Sequence, residues 1–85
     1  MKTVWVSGAS TGIGFATAKK FLNNNWNVII SSSNYEKLLL AKKQLLLRSK
    51  NKELYAYKCD MESEEDINGM FQWIKEHKEL GIVIL

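Results

Sequence analysis

Ser7-Gly8-Ala9-Ser10-Thr11-Gly12-Ile13-Gly14 sets three glycines between a short β-branched and aromatic stretch, Thr3 to Val6, and a run with helical spacing. In that setting each glycine has a separate use. Gly8 permits a sharp turn at the strand exit, Gly12 lets main chain approach a pyrophosphate, and Gly14 lets helix lie close on strand. The helix mouth then offers unpaired N–H groups and a partial positive charge, which suits an anion. Ser10 and Thr11 add hydroxyl donors for phosphate oxygens. The plainer reading is a turn whose glycines serve packing alone.

Other signals compete and are weaker. Gly8-Ala9-Ser10-Thr11-Gly12 also fits Gly-x-Ser-x-Gly, and Ser10, Asp60 and His77 follow the chain order of a hydrolase triad. That elbow needs an earlier strand to supply an oxyanion loop, yet only Met1 to Ser7 precede it, and it leaves Gly14 unexplained. A phosphate loop of the Walker type is excluded because no lysine follows the glycines. His77, between Glu76 and Lys78, reads as a solvated helix-end residue. With Cys59 it makes too few ligands for a metal, and none is expected. Lys42, Lys43, Arg48, Lys50 and Lys52 are bracketed by Glu36 and Glu53 and read as a solvated helix face, so no nucleic acid is expected as partner.

Positioning the glycine loop requires alternating elements, and the chain supplies them. After Thr3–Val6, the residues Ala16, Ala18, Phe21 and Leu22 mark a helical face, and Asn23-Asn24-Asn25 tolerates the left-handed conformation of a helix stop. Asn27–Ser31 is a second strand, and Tyr35–Ser49, rich in leucine and lysine, a second helix. Leu54–Cys59 is a third strand; Ser63 and Asp66 resemble a capping box opening a helix over Ser63–Lys78. Its apolar stripe is Ile67, Met70, Phe71 and Ile74, which leaves Trp73 half-exposed. Gly81 can end that helix and Ile82–Leu85 begins a fourth strand. The pattern βαβαβαβ predicts an α/β fold with a doubly wound parallel sheet in the order 3-2-1-4. Two helices then cover one face and the third covers the other alone. That half-covered face and an apolar last strand lead us to expect an incomplete domain, 1–85, prone to self-association.

Composition agrees with a packed, single unit. The 85 residues are 46% hydrophobic and 25% charged, which argues against disorder. The formal charge of +3 lies wholly in the opening stretch: no acid occurs before Glu36, whereas Lys2, Lys19 and Lys20 do. A single cysteine excludes an internal disulfide and suits a reducing compartment. No apolar run approaches the length of a membrane span, so we expect a cytoplasmic protein with no membrane partner. The leucines of the second helix could meet a neighbouring subunit, which makes a homo-oligomer an expectation too.

The spacing Gly-x-x-x-Gly-x-Gly, seen as Gly8, Gly12 and Gly14, resembles the cofactor loop of the short-chain dehydrogenase/reductase family. Cys59-Asp60-Met61 after the third strand is similar to that family's adenine-contacting segment, and Gly81–Leu85 to the strand leading into its Asn-Asn-Ala-Gly motif. The resemblance covers essentially the whole chain. It implies a Rossmann-like NAD(P)-binding fold and an oxidoreductase moving a hydride between a nicotinamide and a carbonyl or alcohol. It also implies that Gly8, Ser10, Thr11, Gly12, Ile13 and Gly14 contact the pyrophosphate and adjacent ribose, and Asp60 and Met61 the adenine. For Asp60 the alternative is a cap on the turn before the third helix.

Two departures matter. Sites that choose NAD place an acid about 20 residues beyond the glycines. Here that region reads Ile30-Ser31-Ser32-Ser33-Asn34. Its hydroxyls favour NADP over NAD, with Ser32, Ser33 and Asn34 beside the adenosine ribose, although the arginine often found at the position of Ser33 is missing. The alternative is that these residues only cap the second helix. The family's Tyr-x-x-x-Lys pair is also missing, since Tyr35, Tyr55 and Tyr57 are followed four residues on by Leu39, Cys59 and Met61. No catalytic residue is therefore assigned. The alternative function is a non-catalytic nucleotide-binding or regulatory module.

Overall fold

The computed structural model describes residues 3–10, 12–47, 53–77 and 82–84. Its strands are β1 (Thr3–Ser7), β2 (Asn27–Ser32), β3 (Leu54–Lys58) and β4 (Ile82–Ile84), and its helices α1 (Gly12–Asn23), α2 (Tyr35–Leu47) and α3 (Glu64–His77). The sheet runs in the order β3-β2-β1-β4, and all three pairings are parallel. This is the Rossmann-like α/β arrangement that the alternation predicts. Thr11, Gly81 and the basic residues Arg48, Lys50 and Lys52 lie outside the described residues.

Register explains why both faces of the strands are apolar. Val4, Val28 and Leu54 stand level across the three strands, as do Val6, Ile30 and Ala56. Side chains of a strand alternate between faces. These residues therefore share the face on which Ala18 and Leu22 of α1 and Leu38, Ala41 and Leu45 of α2 pack. Trp5, Ile29 and Tyr55 form the intervening row on the opposite face, beneath Met70 and Ile74 of α3. Each such fully buried side chain contributes about 1.5–3 kcal/mol by leaving water. Trp5 and Ile29 are completely buried, so the single helix covers this face as far as β1.

The rotation of α3 differs from the expected stripe. Phe71, placed on that stripe, is 45% exposed and makes a T-shaped contact with Trp5 at 5.3 Å, whereas Trp73 is half-buried as expected and packs with Tyr55 and Tyr57 of β3, its ring centroid 5.7 and 5.5 Å from theirs. Two tyrosines on neighbouring outward positions of β3 create a wide aromatic shelf, and the indole fills it. The helix pattern alone carried no information about that shelf.

The asparagine stop after α1 forms as its side chains suggest. Asn25 has φ 68, in the left-handed region. Its N–H donates to the Leu22 carbonyl, and the Trp26 N–H reaches back to the Phe21 carbonyl at 3.1 Å. That pair of bonds is a Schellman motif, sealed by an edge-on contact of the Phe21 and Trp26 rings at 4.9 Å. No helix among the described residues is long and apolar enough to cross a membrane.

Candidate functional site

The carboxyl ends of β1, β2 and β3 open into a cleft of about 480 Å³ lined by Ser7, Gly8, Ser32, Ser33, Cys59, Asp60, Met61 and Glu62. In open parallel sheets this edge is where ligands bind. Two main-chain bonds tie the three ends together. The Ala9 N–H donates to the Ser31 carbonyl at 3.3 Å, and the Cys59 N–H to the Ser32 carbonyl at 3.1 Å. Ser31 itself is buried and its Oγ accepts the Trp5 indole N–H at 2.8 Å. Its hydroxyl thus serves the core, and the exposed hydroxyls that follow it serve the cleft.

The glycine loop is built as three different solutions. Gly8 and Gly12 both have φ 63, a conformation that side chains resist, and open space lies where a Cβ would stand on either. Gly14 has the opposite problem: a Cβ there would collide with the Gly8 carbonyl oxygen and lie 2.9 Å from its carbon and 3.0 Å from the Ala9 Cα. The first turn of α1 rests directly on the loop. Its N–H groups lack partners within the helix and it carries no acidic residue. Ile13 extends from this turn and is 86% exposed.

The structure brings Gly8, Ser32, Ser33, Asp60 and Met61 into one cleft and sets Gly12, Ile13 and Gly14 at the adjoining mouth of α1. Ser10 instead lines a separate depression of about 250 Å³ against α2, with Lys37, Leu40, Ala41 and Gln44. Ser10 and Asp60 therefore face different recesses, which removes the hydrolase-like triad. Among the described residues no cluster could hold a metal ion.

The capping alternatives also hold in part. Asn34 accepts the Lys37 N–H through Oδ1 at 3.1 Å, and Ser32 Oγ accepts the Asn34 N–H at 3.2 Å. Asn34 is thus the N-cap of α2, with its amide NH₂ as the remaining donor. Asp60 Oδ1 accepts the Glu62 N–H at 2.9 Å, which folds the turn and leaves Oδ2 as an acceptor. Ser63 Oγ caps α3 by accepting the Asp66 N–H at 3.1 Å, but Asp66 Oδ2 takes the Asp60 N–H rather than completing the reciprocal box.

Ser7 and Cys59, named within their motifs but given no contact of their own, and Glu62 also line the cleft. Strand ends at equal register would have indicated Ser7, which stands level with Ser31. Burial, then the nearby Asp66 and Asp60, push the Cys59 thiol above its ordinary value, so it stays protonated at neutral pH. It is a wall of the cleft and not a nucleophile.

A family model described as short chain dehydrogenase matches residues 2–85. Farnesol dehydrogenase of Aedes aegypti is 36% identical over 84 residues, which is 99% of this chain and 34% of that protein. Retinol dehydrogenase 13 of Mus musculus is 33% identical over 84 residues, 98% of this chain and 25% of its own length. Among solved structures, that of YwfH, an NADPH dependent reductase involved in bacilysin biosynthesis, superposes with a TM-score of 0.92 at 28% identity, covering 96% of this chain and 34% of that one. The chain spans about a third or less of the length of the curated relatives it matches.

Proposed function

Since the chain belongs to the short-chain dehydrogenase family, we propose that residues 1–85 form a single domain portion that binds NAD(P) for an oxidoreductase. Members of this family are dehydrogenases and reductases. The reaction is hydride transfer between a nicotinamide and a carbonyl or alcohol carbon of a small molecule, in the cytoplasm. The observation that carries the reading is the glycine loop. Two left-handed glycines leave open space beside the α1 mouth, and a third lets that mouth sit against β1. A bulky diphosphate fits where no side chain stands, and bare N–H groups face it.

The residues divide the dinucleotide between them. Gly8, Gly12, Gly14 and the first-turn amides of α1 hold the pyrophosphate, with hydroxyl donation from Thr11, while Ser10 faces the neighbouring recess. Ile13 offers its exposed aliphatic surface to the adjacent ribose. Ser32 and Ser33 bond the adenosine ribose with the free amide of Asn34. Asp60 Oδ2 accepts from the exocyclic amine of adenine, and Met61 lies against the ring. When bound, the dinucleotide supplies the hydride-carrying carbon. These 85 residues contain no Tyr-x-x-x-Lys pair, so the proton is handled by groups outside them. That same observation favours the second reading, a non-catalytic nucleotide-binding module. Coding sequence that continues in frame past Leu85 into Tyr-x-x-x-Lys decides for the enzyme, and a genuine stop codon decides for the module.

NADP is the preferred form, with NAD the alternative. No carboxylate stands at the end of β2 to repel a 2′-phosphate, and the similar YwfH is described as NADPH dependent. Calorimetric titration with NADPH and NADH tests this: tighter NADPH binding is expected, and tighter NADH binding overturns the preference. Absence of binding to both overturns the dinucleotide reading itself.

A further inference from the structure

The two recesses beside the glycine loop, one lined by Gly8 and the other by Ser10, carry opposite charge. Among the described residues, the cleft of about 480 Å³ is lined by Asp60 and Glu62 and by no cation. The depression on the α2 side is lined by Ser10 and Lys37, with Leu40, Ala41 and Gln44, and by no acid. A ribose phosphomonoester carries close to two negative charges near neutral pH. In the first recess it would face two carboxylates. In the second it meets an ammonium and a hydroxyl.

We infer that Lys37, reaching from the first turn of α2 toward Ser10, is the cation that seats the 2′-phosphate of NADP on this chain. The inference rests on the dinucleotide reading above. Its physical basis is one of replacement: Ser33 follows β2 without a charge of its own, Lys58 stands level with Ser32 on β3 but lines neither recess, and the cation that does line one is Lys37 of α2. Three features fix Lys37 there. Asn34 Oδ1 holds its N–H at 3.1 Å, so its backbone position is set by the helix cap. Ala41, one turn later, is buried against the sheet and anchors the helix. The Lys37 side chain is exposed, free to bring Nζ over the depression. Glu36 precedes it but lines neither recess, because neighbouring helical residues diverge by roughly 100°. The same arrangement gives Ser10 a role distinct from that of the other glycine-loop residues. It turns away from the main cleft and donates to the phosphomonoester.

The test is calorimetric binding of four probes, NADPH, NADH, 2′,5′-ADP and 5′-AMP, to the intact protein and to Lys37→Ala, Lys37→Arg and Ser10→Ala. Lys37→Ala is expected to weaken NADPH and 2′,5′-ADP by about tenfold, the worth of one exposed charge-assisted contact. NADH and 5′-AMP should stay within roughly twofold, and Lys37→Arg should retain most NADPH affinity. Ser10→Ala should weaken only the probes that carry a 2′-phosphate, NADPH and 2′,5′-ADP, and by less. Added salt should weaken NADPH binding more in the unaltered protein than in Lys37→Ala. Unchanged NADPH affinity in Lys37→Ala overturns the inference, and so does an equal loss for NADPH and NADH; in both cases dinucleotide binding itself stands. Failure of the unaltered protein to bind any of the four overturns the dinucleotide reading and this inference together.

Discussion

Replacing Gly14 with alanine adds one methyl group at the tightest point of the loop. That carbon would lie 2.9 Å from the Gly8 carbonyl carbon and 3.0 Å from the Ala9 Cα, with the Gly8 oxygen nearer still. Ordinary contact for such a carbon begins near 3.4 Å, so α1 must retreat from β1 by about half an ångström or more. Every obstacle is main chain and none can rotate aside. Overpacking of this kind costs about 1–3 kcal/mol, and alanine returns at most about 1 kcal/mol of helix propensity. Full return at the mid-range cost of about 2 kcal/mol leaves a net loss of about 1 kcal/mol, and a domain of this size then melts roughly 4–8 °C lower. Circular dichroism melts measure it, and calorimetry with NADPH should show at least about tenfold weaker binding as the α1 amides withdraw. Gly8→Ala and Gly12→Ala supply the contrast: they meet open space but strain a φ of 63, at about 1–2 kcal/mol each. Gly8→Asn should recover part of that loss because asparagine tolerates the left-handed region, and Gly14→Asn should recover none. A Gly14→Ala protein that melts no lower and binds undiminished would refute the packing argument.

Trp5→Phe strands the buried Ser31 hydroxyl, which now accepts the indole N–H at 2.8 Å, and should cost about 1–3 kcal/mol in denaturant unfolding. Ser63→Ala removes the acceptor for the Asp66 N–H and should cost about 1 kcal/mol, measured in the same way. Because folding makes the Cys59 thiol a weaker acid, its contribution to stability is intact below the ordinary thiol value of 9.0 and falls as pH rises above it; melts of the protein and of Cys59→Ala should converge over that range. At pH 7 the same thiol should react with an alkylating reagent far more slowly than free cysteine does.

Much of the fold was legible because its signals are local. The β1 to α1 transition, the asparagine stop and the Ser63 cap each depend on a few adjacent residues, and each formed where those residues stand. What escaped was set by distant partners. Phe71 stands exposed despite its place on the apolar stripe, and the half-buried Trp73 finds its partners in Tyr55 and Tyr57, on another element. Ser10 leaves the main cleft because α2 lies beside the loop, and nothing within Gly8–Gly14 encodes that neighbour. Asn34 and Asp60 were assigned both a ligand and a capping role, and the structure gives each a cap while leaving one polar atom for the other use.

The rim of the cleft is stitched by amide-to-carbonyl bonds at Ala9 and Cys59, which take nothing from the identity of either side chain. The bonds themselves ask only for an amide hydrogen, which excludes proline, while the burial of Ala9 and Cys59 separately restricts both sites to small side chains. Redecorating the interior to suit another nucleotide is therefore mechanically independent of keeping the aperture its present width.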